Sequence, residues 1–316
     1  MKRQYEFYSN EQHFNSHKKI LKVMSSQKKR TLIDHLKEQI KKSGYPLEIE
    51  ISSILDKNWE VMNTDSYYDN DAGKMRDIDI NAIREITHKY TPFPLMTFVN
   101  LTIECKRNEN FAWVFFTRPY KYSFEDIDGQ YIDGLQILTQ NIENMELMEL
   151  ILHESKLHYS RIRKVAPCYD EVFIEGKKER YQHKKDEIFE AVNQLKKYII
   201  YSNEQALKTT LPYVINIYFP CIVFDGKMFE AKVSKEDVTL RRIKHVVLVS
   251  SHRTSYSTWD LGFLVDIVHK DHFNTFLKSI ENDFKNLSLV IEKNGYEIFE
   301  ELTKTESLIK RRKKVG

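Results

Sequence analysis

Two short stretches of the sequence hold charge where a strand ordinarily holds none. Arg76-Asp-Ile-Asp-Ile-Asn81 sets Asp77 and Asp79 two positions apart, and Leu101-Thr-Ile-Glu-Cys-Lys106 does the same with Glu104 and Lys106. Side chains two apart on a strand project from one face. Asp, Glu and Lys are poor strand formers and resist burial. In an otherwise apolar strand they persist where they meet one another, a metal or a polar ligand. If the two strands are neighbours, the carboxylates of Asp79 and Glu104 converge. Two carboxylates, a backbone carbonyl and waters form a set that magnesium accepts, because that ion takes hard oxygen ligands and keeps several waters. The ammonium of Lys106 would stand beside the ion. From there it could orient an attacking water or steady the charge that grows on a phosphorus centre.

The elements that must position these residues are legible from periodicity and punctuation. Residues 14–42 read as a polar helical arm with Ile20, Leu21, Met24, Leu32, Leu36 and Ile40 as its apolar stripe. A helix over 46–57 begins near Pro46 and buries Leu47, Ile51, Ile54 and Leu55. Strands are expected at Trp59–Thr64, Lys74–Ile83 and Phe98–Lys106, with Tyr67, Tyr68 and the acidic turn Asp69–Gly73 joining the first two. Phe111–Thr117 reads as a short separate strand, and Met145–Leu157 as a helix. An amphipathic helix spans about Lys178–Tyr201, with Ile188, Val192, Leu195 and Ile199 inward. Tyr213–Phe224 reads as a buried strand. Asp225-Gly226 is then the strongest hairpin signal in the chain, with Met228–Val233 returning. His245–Ser250 and Leu261–Val268 are further strands, followed by a helix at 271–286 and a strand at Leu287–Glu292. The succession describes an α/β sheet with helices on its faces.

The stretch Gly73–Ala82, followed by Leu101–Phe116, resembles the PD-(D/E)XK phosphodiesterase superfamily, and Gly44–Val61 resembles that family's opening helix and first strand. The likeness covers residues 44–118 well. The unit Lys178–Phe224 fits the family's crossover helix and fourth strand more loosely. It implies a restriction-endonuclease-like mixed central sheet flanked by helices, with a helical N-terminal arm and an insertion after the third core strand. Residues 1–43 would be the basic arm, 44–300 the nuclease-like domain with its insertion at about 119–177, and 301–316 a basic tail. Asp79 matches the family's aspartate, and Glu104 and Lys106 match its E-x-K pair. Cys105 offers its main-chain carbonyl to the metal. Glu48 matches the helix glutamate, with Glu50 as runner-up, and Asp77 is auxiliary. The literal Pro-Asp dipeptide is absent. Gln194-Leu-Lys-Lys-Tyr198 resembles the Gln-x-x-x-Tyr element of the RecB-like branch, although Gln and Tyr four apart are more often ordinary flank residues of a helix.

The resemblance implies a magnesium-dependent endonuclease, with manganese as a substitute ion. DNA is the expected substrate, RNA stays open, and bacterial restriction or phage defence is the expected setting. A homodimer and a separate motor or sensor subunit are the expected partners. Two other functions share the fold: an inactive nucleic-acid-binding subunit, and an effector that a signal switches on through residues 119–178 or 240–316.

Composition narrows the field. The 316 residues carry 49 Lys and Arg against 46 Asp and Glu, a net +3, too little by itself to argue a nucleic-acid partner. The cations are uneven: lysine is frequent in the first 42 residues, and the chain closes with Lys310–Lys314, although such ends are most often solvated. With 9 Gly and 7 Pro, low-complexity and collagen-like chains are excluded. Cys105, Cys168 and Cys221 form no CxxC pair, which argues against a cysteine-built zinc site or a disulfide framework and for a reducing cytoplasm. The N-terminus lacks a signal-peptide apolar run, and Leu211–Phe224 is too short to span a bilayer, so no membrane association is expected. Phosphate-loop, dinucleotide, serine-hydrolase and zincin motifs are all missing, so any motor would be a separate polypeptide. Trp113, Phe115 and Phe116 read as core. Lys74 and Arg76 could meet phosphate, or Arg76 a neighbouring acid. His269-Lys-Asp271 lacks the spacing of the HKD phosphodiesterases. Arg241, Arg242, Lys244 and His245 read as a solvated basic loop.

Overall fold

The computed structural model describes residues 31–88, 95–120, 136–139, 154–174, 186–206, 214–235, 237–250 and 263–315. Two compact units divide the chain, Met1–Ser43 and Gly44–Gly316. In the first, helix α1 (Leu32–Lys42) opens on a capping box in which the Asp34 N–H donates to the Thr31 hydroxyl and the Thr31 N–H donates to the Asp34 carboxylate, each at 3.1 Å. These bonds satisfy donors that a helix start leaves without partners. The expected arm residues Ile20, Leu21 and Met24 lie outside the described residues.

The second unit begins with helix α2 (Tyr45–Leu55), started by Pro46 in its first turn and buried through Leu47, Ile51, Ser52 and Leu55. Three antiparallel strands come next: β1 (Glu60–Asp69), β2 (Lys74–His88) and β3 (Leu95–Pro119). Gly73, at φ +61°, supplies the left-handed turn between β1 and β2. Strand β3 is long enough to serve two partners on one edge, β2 over Leu95–Ile103 and then β5 (Lys164–Phe173) over Phe111–Pro119. On its other edge it runs parallel to β6 (Val214–Val233). Parallel neighbours need a crossover, and helix α3 (Glu187–Ala206) is the last element before β6. Short strand β4 (Gln136–Thr139) pairs β6 antiparallel. Strands β7 (Val238–Arg242), β8 (His245–Ser250) and β9 (Phe263–His269) complete a nine-stranded sheet. Helix α4 (Phe273–Val315) closes the described chain.

Alternation along β6 sorts the core into two layers. Ile215, Ile217, Phe219, Cys221 and Val223 join a cluster with Leu47, Ile51 and Leu55 of α2 and Phe273, Phe276 and Ile280 of α4. Tyr218, Ile222, Phe224 and Met228 join the other, with Ile188, Val192, Leu195 and Ile199 of α3. The fold is mixed α/β with helices on both faces, as the patterning indicates.

Several expectations are corrected. Asp225-Gly226 is not a turn: β6 runs through it, with Asn108 opposite Gly226 and Ala112 opposite Lys227. The glycine is there for close approach, since a Cβ would sit 2.3 Å from Cζ of Phe224 and 2.7 Å from the Asn108 carbonyl oxygen. Asp225 accepts from Lys270 at 3.0 Å. Phe111–Thr117 is the continuation of β3 beyond a bulge. Leu287–Glu292 is not a strand but part of α4, where Leu287, Val290, Ile291 and Ile298 recur at helical spacing and are buried. A short apolar run does not distinguish the two by itself. Residues 301–315 extend the same helix rather than forming a separate tail. Arg241 and Arg242 lie on strand β7, not in a loop. The insertion contributes β4 and β5 to the sheet. Residues 145–153 and 178–185 lie outside the described residues.

Candidate metal centre

The β2–β3 ladder ends at the pair Ile80–Ile103, so Asp79 and Glu104 are the first residues beyond it. On its other edge, the β1–β2 register skips the step between Asn63–Ile80 and Asp65–Ile78, the position where Thr64 would face Asp79. Thr64 holds φ +57° there. A β-branched residue in the left-handed region is strained by about 1–3 kcal/mol and needs its surroundings to hold it. Asp79 is therefore free of ladder pairing on both sides.

One oxygen of Asp79 accepts the Cys105 N–H at 2.7 Å. A strand residue's N–H and C=O point to the same edge, so the Cys105 carbonyl also faces Asp79. Glu104 lies beside Ile222 of β6 and shares its face, under the α3 layer. It is 0% exposed. Oε2 takes the Lys106 ammonium, while Oε1 has no hydrogen-bond partner. A fully buried carboxylate oxygen without a donor is costly. Burial, reinforced by Asp79 and opposed by Lys106, pushes the Glu104 carboxyl up to about 8. Burial likewise raises Asp79 against the opposing pull of Lys106 and the Cys105 N–H. For Lys106, burial alone would lower the pKa, but Glu104 and Asp79 outweigh it and hold the ammonium charged.

Glu48, in the first turn of α2, is half-buried, and its carboxyl is raised by burial and then by Asp79, while Lys106 lowers it. Its Oε1 lies 3.2 Å from where a side chain on Gly44 would begin, so the glycine leaves room for the carboxylate. Glu50 is exposed. The helix thus turns Glu48, not Glu50, toward the cluster. Asp77 is exposed and accepts from Ser66 at 2.6 Å, though its charge adds to the rise of Asp79. Tyr198 donates to Asp65 and braces α3 against β1, and Gln194 is half-buried on the same helix. Neither touches the carboxylates. Arg76 pairs with Asp69 at 2.8 Å, which resolves its alternatives toward the acid. Trp113 and Phe115 are core, Trp113 stacked on Phe224 at 3.7 Å, and Phe116 is half-buried.

Among the described residues, no three His, Cys, Asp or Glu side chains form a ready metal-binding group. Asp79, Glu104 and a main-chain carbonyl fit an ion that keeps most of its waters, as magnesium does. The orphaned Glu104 oxygen fits such an ion as well.

Sequence reading missed three features of this neighbourhood. Thr64 carries no local signal of its backbone. Tyr67 is fully buried with an unpartnered hydroxyl, and the charge of Glu104 helps to raise its pKa. On the opposite face, His158 bridges Asp266 at 3.1 Å and Asp283, while His245 meets Asp266 at 2.6 Å. Their separation in sequence hides that network.

Comparison with protein-family models, curated proteins and solved structures returned no match. No helix among the described residues is long and apolar enough to cross a membrane.

Proposed function

We propose that this chain is a metal-dependent phosphodiesterase of restriction-endonuclease-like architecture that hydrolyses DNA. The observation that carries the reading is Glu104. It is a fully buried carboxylate with one orphaned oxygen, held against Lys106 and, like Asp79, one step beyond the end of the β2–β3 ladder. A bound ion or its water would satisfy that oxygen, which the ion pair with Lys106 leaves without a partner. The order α2, antiparallel β1–β2–β3, crossover α3 and parallel β6 supports the same reading.

Asp79, Glu104 and the Cys105 carbonyl would hold magnesium or manganese, which supplies Lewis-acid stabilisation and a water of lowered pKa. Lys106, kept charged by its two acid neighbours, donates to the attacking water or the phosphate and fixes its line of approach. Glu48 accepts a hydrogen bond from water at the outer side of the site. The left-handed backbone at Thr64 marks the skipped step that leaves Asp79 out of the ladder.

The test is incubation of the purified chain with supercoiled, linear and single-stranded DNA and with RNA, in Mg²⁺ and in EDTA. Metal-dependent cleavage of at least one substrate is expected. Binding without cleavage under any divalent ion would instead identify an inactive binding subunit.

A further inference from the structure

The β6–β7 hairpin lies at a sheet edge. Strand β7 pairs with Phe229–Val233 of β6, and all five of its residues are exposed. Between Lys227 and Lys244 the described chain exposes, besides Arg241, the five cations Lys227, Lys232, Lys235, Arg242 and Lys244. None of the five forms an ion pair with another described residue; exposed Lys57, Lys74, Lys278 and Lys285 elsewhere are unpaired too, and what sets the five apart is their concentration within one hairpin and its flanks.

The hairpin's root is fixed. Buried Glu230 takes Arg241 at 2.6 Å, Lys164 of β5 at 3.0 Å and the Thr117 hydroxyl of β3 at 2.5 Å. Lys164 and Thr117 anchor the hairpin to the sheet, Arg241 ties its two strands together, and the other cations are left for a partner. Val233, Val238 and Leu240 share the opposite face and are 65%, 53% and 55% exposed. Arg242 shares that face and Lys232 projects from the Glu230 face, so cations flank the exposed apolar edge on both sides, which suits a polyanion whose grooves also present apolar sugar and methyl surface. A second copy would bring an equally cationic hairpin, whereas a polyanion neutralises it.

Position favours the same partner. Lys106 lies beside Phe224 of β6, and nine residues lead from there to Val233 at the hairpin tip. At 3.3 Å per residue that is roughly 30 Å, close to one turn of duplex DNA, about 34 Å. We propose that the β6–β7 hairpin grips the backbone of duplex DNA about one helical turn from the carboxylate site. The inference rests on the reading of the chain as a DNA phosphodiesterase. It adds that a substrate needs about ten base pairs on one side of the cut.

The experiment measures binding of a labelled duplex of about three helical turns to the full chain in EDTA, across a salt series. The wild type is compared with a Lys232→Glu, Lys235→Glu, Arg242→Glu variant, whose exposed positions leave the core intact; its melting curve verifies that it folds. The variant should bind at least about tenfold more weakly, and its salt dependence should be shallower by about two to three in logarithmic slope. A Lys232→Arg, Lys235→Arg variant should bind like the wild type. Unchanged affinity and slope in the charge-reversed variant would overturn the proposal, as would a wild type that binds no duplex. Self-association of that variant at unchanged DNA affinity would overturn it too, and would assign the cations to edge protection. Cleavage of the same duplex in Mg²⁺ is scored separately. Weakened binding in the variant without any wild-type cleavage would keep the hairpin and reject the phosphodiesterase.

Discussion

Glu104 and its neighbours are arranged at a cost to the metal-free protein. Three carboxyls, Glu48, Asp79 and Glu104, are all raised by burial. The direction fixes a pH dependence. Glu104 is held up at about 8, so below that pH a divalent ion must displace its proton. Apparent Mn²⁺ affinity should therefore climb with pH by up to about tenfold per unit, then level off once the carboxyl is ionised. Calorimetric titration across that range checks it. In Glu104→Gln the affinity should fall and the climb should flatten; a wild-type affinity independent of pH would contradict the assignment.

At the scale of the element, position within a strand decides what a residue type means. Asp225-Gly226 looks like a hairpin from sequence because turns favour that pair, but the Phe224 ring two residues away and the Asn108 carbonyl of the neighbouring strand select glycine there. Gly226→Ala should lower stability by about 1–3 kcal/mol, read from a shift in the urea midpoint at unchanged slope. The His158 network makes a second prediction. It ties the segment before β5 to β9 and α4. Burial alone would push the His158 imidazole down, yet Asp266 and Asp283 outweigh it and hold it up at about 9. Because the folded value lies above the ordinary 6.5, its contribution is full below pH 6.5 and disappears as pH rises through 9. His158→Gln should thus cost about 3–5 kcal/mol in mild acid, where two buried acids lose their cation, and much less above pH 9. Denaturant midpoints on both sides of that window test it.

Across the whole molecule, the legible parts are those governed by local rules. Pro46 and the apolar spacing of α2, the alternation in β2 and β3, and the charges of Asp79, Glu104 and Lys106 can all be read from short windows. What stays hidden depends on distant partners. The bulge that carries β3 past Asn108 to a second partner, the fusion of Leu287–Glu292 into α4 and the basic strand β7 arise from tertiary packing. Glu48 separates from Glu50 only once the helix is seated on the sheet. Whether Asp79, Glu104 and Lys106 act together on a phosphodiester is decided by plasmid cleavage in Mg²⁺ and in EDTA, with the wild type, Asp79→Asn and Lys106→Ala side by side. Cleavage should need the metal and slow by at least about 100-fold in either variant. Cleavage at the wild-type rate in both variants would contradict the shared site.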